Sequence, residues 1–175
     1  MNPLPKPARR GALGIVRACC MAFAALACPA MAQEPFAEAP QALTVTPPPF
    51  NVQHLRTFGV SPGSALVYGI DPATLVVDNQ GVVRYVLVAR SASGALNVLY
   101  EGIRCQTAEL ITYARWDNRS AWNIDEAAEW RPLSSSGSTR HAMSLARAAV
   151  CDGPTPNGDA SNILRTLKRG SAPER

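Results

Sequence analysis

The sequence predicts an α+β domain: an antiparallel β-meander sheet with one C-terminal helix packed on one face, tied by a disulfide. Three observations carry that reading. The stretch from Gly81 to Trp116 is a nearly continuous run of strand-forming residues broken only by short turn signals. One alanine-rich segment, Thr139 to Cys151, carries the helical period. The two cysteines outside the N-terminal segment, Cys105 and Cys151, fall one in each of these stretches.

The chain begins with a different kind of sequence. Residues 1–32 hold Lys6, Arg9, Arg10 and Arg17 and no acid, then the apolar run Ala18 to Ala30, then Ala30-Met31-Ala32, which is the pattern of a secretory signal cut after Ala32. The apolar run is far shorter than the roughly 20 residues of a spanning helix. Arg9-Arg10 lacks the remainder of a twin-arginine pattern, so general export is expected. Ala25-Leu26-Ala27-Cys28 offers a weaker alternative, a lipoprotein signal with Cys28 acylated, and membrane attachment is expected only in that case.

Removing residues 1–32 takes away four of 17 basic residues and none of the 13 acidic ones, leaving 13 against 13. A pI near 9 therefore belongs to the segment that is cut off, and nucleic-acid binding is excluded as a function class. Cys19, Cys20 and Cys28 leave with it, and two cysteines remaining in an exported chain predict one disulfide, Cys105 to Cys151. On the chain-entropy account, closing a loop of about 47 residues stabilises the fold by about 4 kcal/mol.

Residues 33–50 contain Pro35, Pro40, Pro47, Pro48 and Pro49 and read as a proline-rich lead, a tether outside the domain. The domain itself is expected over residues 51–160. Ala65 to Ile70 is apolar, Asp71-Pro72 makes a turn, and Thr74 to Val77 is a short strand. Asp78 to Gly81 forms a hairpin loop with Gly81 at positive φ, Val82 to Arg90 is a long strand, Ser91 to Gly94 the next turn, Ala95 to Arg104 the next strand, and Glu109 to Trp116 another.

A four-residue loop in the second hairpin places Arg84 opposite Glu101 and Tyr85 opposite Tyr100, giving one apolar and aromatic face and one polar face. On that register Cys105 needs a bulge at Gly102 to turn toward the helix. The helix Thr139 to Cys151 presents Ala142, Leu145, Ala146, Ala149 and Val150 on its buried side and Arg140 and Arg147 to solvent, with Ser138 or Thr139 as N-cap. Trp116, Trp122 and Trp130 read as core or lid residues. Residues 161–175 are expected as a short basic C-terminal tail, with Ile163 to Arg169 forming one short helix before a frayed end.

Chemistry is sparse. His54 and His141 are the only histidines, and neither has a partner at a metal-ligand spacing, so neither metal nor cofactor is expected. Asp152, Asn157, Asp159 and Asn162 lack the spacing and closing glutamate of a calcium loop. A hydrolase site can be drawn from His141, a serine between 134 and 138, and Asp125, without any nucleophile-elbow pattern to support it. Glu101 and Glu109 form a weak candidate carboxylate pair. The polar face of Arg84, Arg90, Asn97, Glu101 and Arg104 is a candidate anion-binding surface, against the commoner reading of a solvated sheet face.

The upstream GIDPATL and the run GVVRYVLVARSASGALNVLYEGIRC resemble the cryptic-neisserial-protein-like family of exported proteobacterial proteins. The resemblance rests on Asp71, Arg84-Tyr85, Arg90-Ser91, Ser93-Gly94, Asn97-Val98, Tyr100-Glu101-Gly102 and Arg104-Cys105. It continues through Glu129-Trp130-Arg131-Pro132 to the helix that ends at Cys151. It implies an exported envelope protein and brings no catalytic residue. The expected function is a non-catalytic binding or structural module of the periplasm or envelope, whose partner is an envelope component or a second copy. The alternatives are a periplasmic hydrolase using His141 and a lipid-anchored surface adhesin-like protein.

Overall fold

The computed structural model describes residues 45–170. The signal segment, Cys28 and residues 33–44 lie outside that range. In chain order the strands are β1 (Arg56–Phe58), β2 (Leu66–Ile70), β3 (Val76–Val77), β4 (Val82–Ser91), β5 (Leu96–Arg104), β6 (Glu109–Trp116), β7 (Trp122–Ile124) and β8 (Arg131–Pro132). Helix α1 (Arg140–Leu145) runs on into a π-helical turn over Ala146–Val150. A small hairpin of β9 (Cys151–Asp152) and β10 (Thr155–Pro156) then leads to helix α2 (Ala160–Gly170). Strands β1, β2, β4, β5, β6 and β7 lie side by side in that order, all antiparallel, while β3 pairs with β4 and β8 with β6.

Two hairpins share one turn design, and it sets the register. At Ser91 to Ala95, Gly94 takes φ 84°, its N–H donates to the Ser91 carbonyl at 2.9 Å, and the Ser91 hydroxyl accepts the Ala95 N–H at 3.0 Å. At Asp78 to Val82, Gly81 takes φ 75° and Asp78 Oδ1 accepts the N–H groups of Gln80 and Val82, both at 2.9 Å. Each is a three-residue loop closed by a glycine in the left-handed region, where a side chain is disfavoured.

The three-residue loop corrects the expected pairing. Arg90 lies opposite Leu96, Tyr85 opposite Glu101 and Arg84 opposite Gly102, not Arg84 opposite Glu101 and Tyr85 opposite Tyr100. A one-residue slip turns every side chain of β5 to the other face. Pairing of β4 with β5 runs regularly through Gly102, so the expected bulge is absent there, and Cys105 reaches the helix side by parity alone. The irregularity falls instead between β5 and β6, where Tyr100 pairs with Ala114 but Glu101 with Thr112, leaving Tyr113 as the extra residue. Gly102 is small because Tyr113 lies over it: a Cβ there would sit 2.9 Å from the Tyr113 hydroxyl and 3.1 Å from Val82.

On the first face, Val83, Tyr85, Leu87, Leu99, Ile103 and Leu110 meet the helices. Ala142, Leu145, Ala146, Ala149 and Val150 are buried as the helical period predicts, and Arg140 and Arg147 are exposed. The Cys105–Cys151 disulfide, with Cα atoms 5.6 Å apart, ties β5 to the end of this helical segment. Residues 160–170 are not an outlying tail. Ile163 and Leu167 of α2 are buried in the same core, and Asp159 Oδ1 starts the helix by accepting the Asn162 N–H at 2.7 Å.

The second face is covered too, which the sequence reading missed. Val86, Val88, Val98, Tyr100, Ile111 and Tyr113 pack under Val45 and Phe50 of the lead, under Val52 and Leu55 just after it, and under Trp116, Trp122 and Trp130. The end of the expected tether is therefore part of the domain. It is held where the Asn51 N–H donates to Asp71 Oδ2 at 2.7 Å and Arg90 Nη2 donates to the Val52 carbonyl at 3.0 Å.

Candidate functional site

The corrected register brings the one acidic residue of β5 against the one histidine of α1. Glu101 is completely buried, and both its carboxylate oxygens lie 3.0 Å from His141 Nε2. Tyr85, directly across the ladder, donates its hydroxyl to Glu101 Oε2 at 3.2 Å, and the Thr112 hydroxyl donates to Oε1 at 3.4 Å. The His141 ring stacks parallel to Tyr68 of β2, with centroids 6.0 Å apart. A charge this deep is tolerated because it is paired and hydrogen-bonded at once.

The electrostatics follow from that enclosure. Burial alone would push the His141 imidazole down, but the hydrogen bond and the charge of Glu101 outweigh it, and the ring titrates above its ordinary value. Arg131 opposes this and a hydrogen bond with the Ser138 backbone supports it. Tyr85 is held well above its ordinary value, first by burial and then by the charge and hydrogen bond of Glu101, so its phenol remains a donor. The arrangement suits a charged tie between sheet and helix, since the histidine nitrogen that faces the carboxylate is occupied by it.

The serine triad drawn from the sequence is not assembled. Ser134 shares a hydrogen bond with Ser136, Ser138 accepts from Arg131 Nη1 at 3.4 Å, and Asp125 Oδ1 accepts the Ala127 N–H. The candidate carboxylate pair also separates: Glu101 is locked to His141, whereas Glu109 sits at the β5–β6 turn with Arg104 and Thr107.

The candidate anion-binding face does not exist as one surface. Arg84, Arg90 and Arg104 fall on the second face, and Asn97 and Glu101 on the first, because β5 is turned over relative to the expected pairing. Arg84 is ion-paired with Asp78, and the Arg104 guanidinium, paired with Glu109, lies 3.9 Å over the Trp130 ring. These arginines border a cleft of about 210 Å³ with Tyr113, whose phenol is pushed up to about 12, chiefly by burial.

A second cleft, of about 360 Å³, is lined by β6 residues Thr112, Ala114 and Arg115 together with residues 123–131. Strand β8 pairs with β6 at Glu109 and Leu110, and β7 pairs with it at Ala114 to Trp116. The intervening edge of β6 carries the extra residue Tyr113, whose carbonyl accepts the Asp125 N–H at 2.9 Å. Thr112, Arg115, Asn123, Asp125, Glu129 and Arg131 line the gap, and Thr112 links it to Glu101. Sequence reasoning missed both features. The signal that finds the first is Gly94: a left-handed glycine three residues after Ser91 selects the odd loop, which turns Glu101 toward the helix.

The comparison with curated proteins found no match, and neither did that with solved structures. A family model covers residues 31–168, a span that includes the paired cysteines, Glu101, His141 and all the strands, and by that match the chain belongs to the CNP1-like family.

Proposed function

We propose that this is a small exported envelope protein whose role is binding or structural, not catalytic. The observation that carries the reading is the state of the buried Glu101–His141 pair. His141 Nε2 is engaged by both oxygens of Glu101 at 3.0 Å, and a general base must be within hydrogen-bond reach of the proton it takes. The pair holds helix to sheet, and the sheet is further fixed by the Cys105–Cys151 bond and covered on both faces. Such a frame is rigid support for a surface site. Export is supported by the residue pattern of 1–32 and by the disulfide, which persists in oxidising compartments.

The test is a screen of the purified chain against ester, peptide, glycoside and phosphoester substrates, run beside His141→Asn. No turnover is expected; hydrolysis that His141→Asn abolishes would establish the hydrolase alternative instead. Mass spectrometry of the exported chain is expected to find Gln33 at its start, and an acylated Cys28 would make it a lipid-anchored protein.

A further inference from the structure

The cleft between β7 and β8 combines four charged side chains that do not neutralise one another. Arg115 and Arg131 line it together with Asp125 and Glu129. The ion pairs among the described residues are Arg84 with Asp78, Arg104 with Glu109 and His141 with Glu101, so none of the four is used up in that way. Each guanidinium is steadied by a neutral partner: Arg115 Nη1 donates to Asn97 Oδ1 at 2.9 Å, and Arg131 Nη1 donates to Ser138 Oγ at 3.4 Å. A guanidinium has five N–H donors, so each keeps donors that match a carboxylate in fork geometry. Asp125 spends Oδ1 on the Ala127 N–H, leaving Oδ2 on the same side chain as an acceptor. Thr112 also lines the cleft, and its hydroxyl donates to buried Glu101.

We propose that this cleft binds a small zwitterion, an amino acid or short peptide, with its carboxylate on Arg115 and Arg131 and its ammonium on Asp125 and Glu129. The inference rests on the binding reading given above. Two cations and two anions lining one cleft, none of them ion-paired with another, complement a molecule that bears both signs, whereas a simple anion would meet the two carboxylates as well. The base is stiff: Arg115 and Thr112 project from β6, and Arg131 from the short strand paired to Leu110.

The experiment is a nuclear magnetic resonance titration of the isotope-labelled full chain with alanyl-alanine and alanyl-glutamate. N-acetylalanine supplies a carboxylate alone and alaninamide an ammonium alone. The expected result is saturable shifting of Thr112, Arg115, Asn123 and Arg131 signals by the dipeptides, with a Kd on the order of 1 mM or tighter. Each single-charge analogue should bind on the order of tenfold more weakly, as should the dipeptides to Arg115→Gln or Arg131→Gln. The Glu101 and His141 signals of the two variants report that the fold is intact. Absence of saturation, binding of N-acetylalanine equal to that of the dipeptides, or binding unchanged in both variants would overturn the site. Cleavage of the dipeptides during the titration would instead overturn the non-catalytic reading, so the two failures are separable.

Discussion

Replacing His141 with leucine should be among the most destabilising single changes in the domain. It would leave Glu101, with none of its surface exposed, holding a charge against only the Tyr85 hydroxyl at 3.2 Å and the Thr112 hydroxyl at 3.4 Å. Breaking a buried ion pair from one side costs about 3–5 kcal/mol. Glu101→Leu should cost less, about 1–3 kcal/mol, because the imidazole left behind can shed its proton. The double replacement should cost less than His141→Leu alone, since two apolar side chains then meet where two charges met. The coupling between the two sites therefore exceeds the cost of Glu101→Leu alone and is expected to be at least about 1 kcal/mol. Urea unfolding with the disulfide intact measures it: at a slope of about 2 kcal/mol per M, the His141→Leu midpoint falls by about 2 M. Single effects that simply add in the double variant, within about 0.5 kcal/mol, would refute the pairing.

The same pair sets a pH signature. The folded-state value of His141 is raised, so its contribution is fully present below the unfolded value of about 6.5 and is lost as pH rises through the raised folded value. In that interval the native state binds more protons than the unfolded chain, and stability must fall with rising pH, by at most about 1.4 kcal/mol per pH unit for one proton. Wild type should show this decline and His141→Leu should not.

Three further outcomes are expected. Replacing both cysteines by serine should lower stability by about 4 kcal/mol, since Cys105 and Cys151 are separated by 46 positions, and reducing agent should do the same to wild type but nothing to the variant in a urea titration. Ala108→Gly should stabilise by about 0.5–1 kcal/mol, because Ala108 sits at φ 53° in the left-handed region while its carbonyl bond to the Leu133 N–H at 2.8 Å is kept; a thermal melt reads the gain. Ile163→Ala should cost about 2–5 kcal/mol in the same assay, a large loss that only a helix belonging to the core produces.

Much of the fold was legible because it is written in local chemistry. The β4–β5–β6 meander follows from branched and aromatic runs divided by Ser91-Ala92-Ser93-Gly94 and similar turns, and the buried stripe of α1 follows from period alone. The disulfide follows from the cysteine count together with the expected export. What was not legible depends on parity or on distant packing. Whether Ser91 to Ala95 closes with three or four residues is a small local choice, yet it decides the facing of all nine residues of β5. Val45 to Phe50 reads as spacer because proline-rich segments usually are, and its few apolar residues count only once a sheet face exists to receive them. Ile163 and Leu167 were likewise too few to declare a core helix in a basic stretch.

That single choice of loop explains why the polar surface of this protein is where it is. Had Glu101 faced Arg84, the sheet would have kept one solvated face and the arginines of β4 and β5 would have formed an open patch. With Glu101 turned under α1, its negative charge is matched by a histidine the helix supplies, and Arg84 and Arg104 are matched by Asp78 and Glu109 at the loop ends. Both faces can then be covered, one by helices and one by the lead and the tryptophans. Polar groups left for a ligand are pushed to the sheet margin, where β7 and β8 take successive parts of the β6 edge and the extra residue Tyr113 separates them. A bulge at a sheet edge commonly re-aims side chains beside a functional site, and here it sets Thr112 toward Glu101 while Arg115 reaches Asn97. The cleft is thus a consequence of the register, and a change that imposed a four-residue loop would remove the buried pair and the site together.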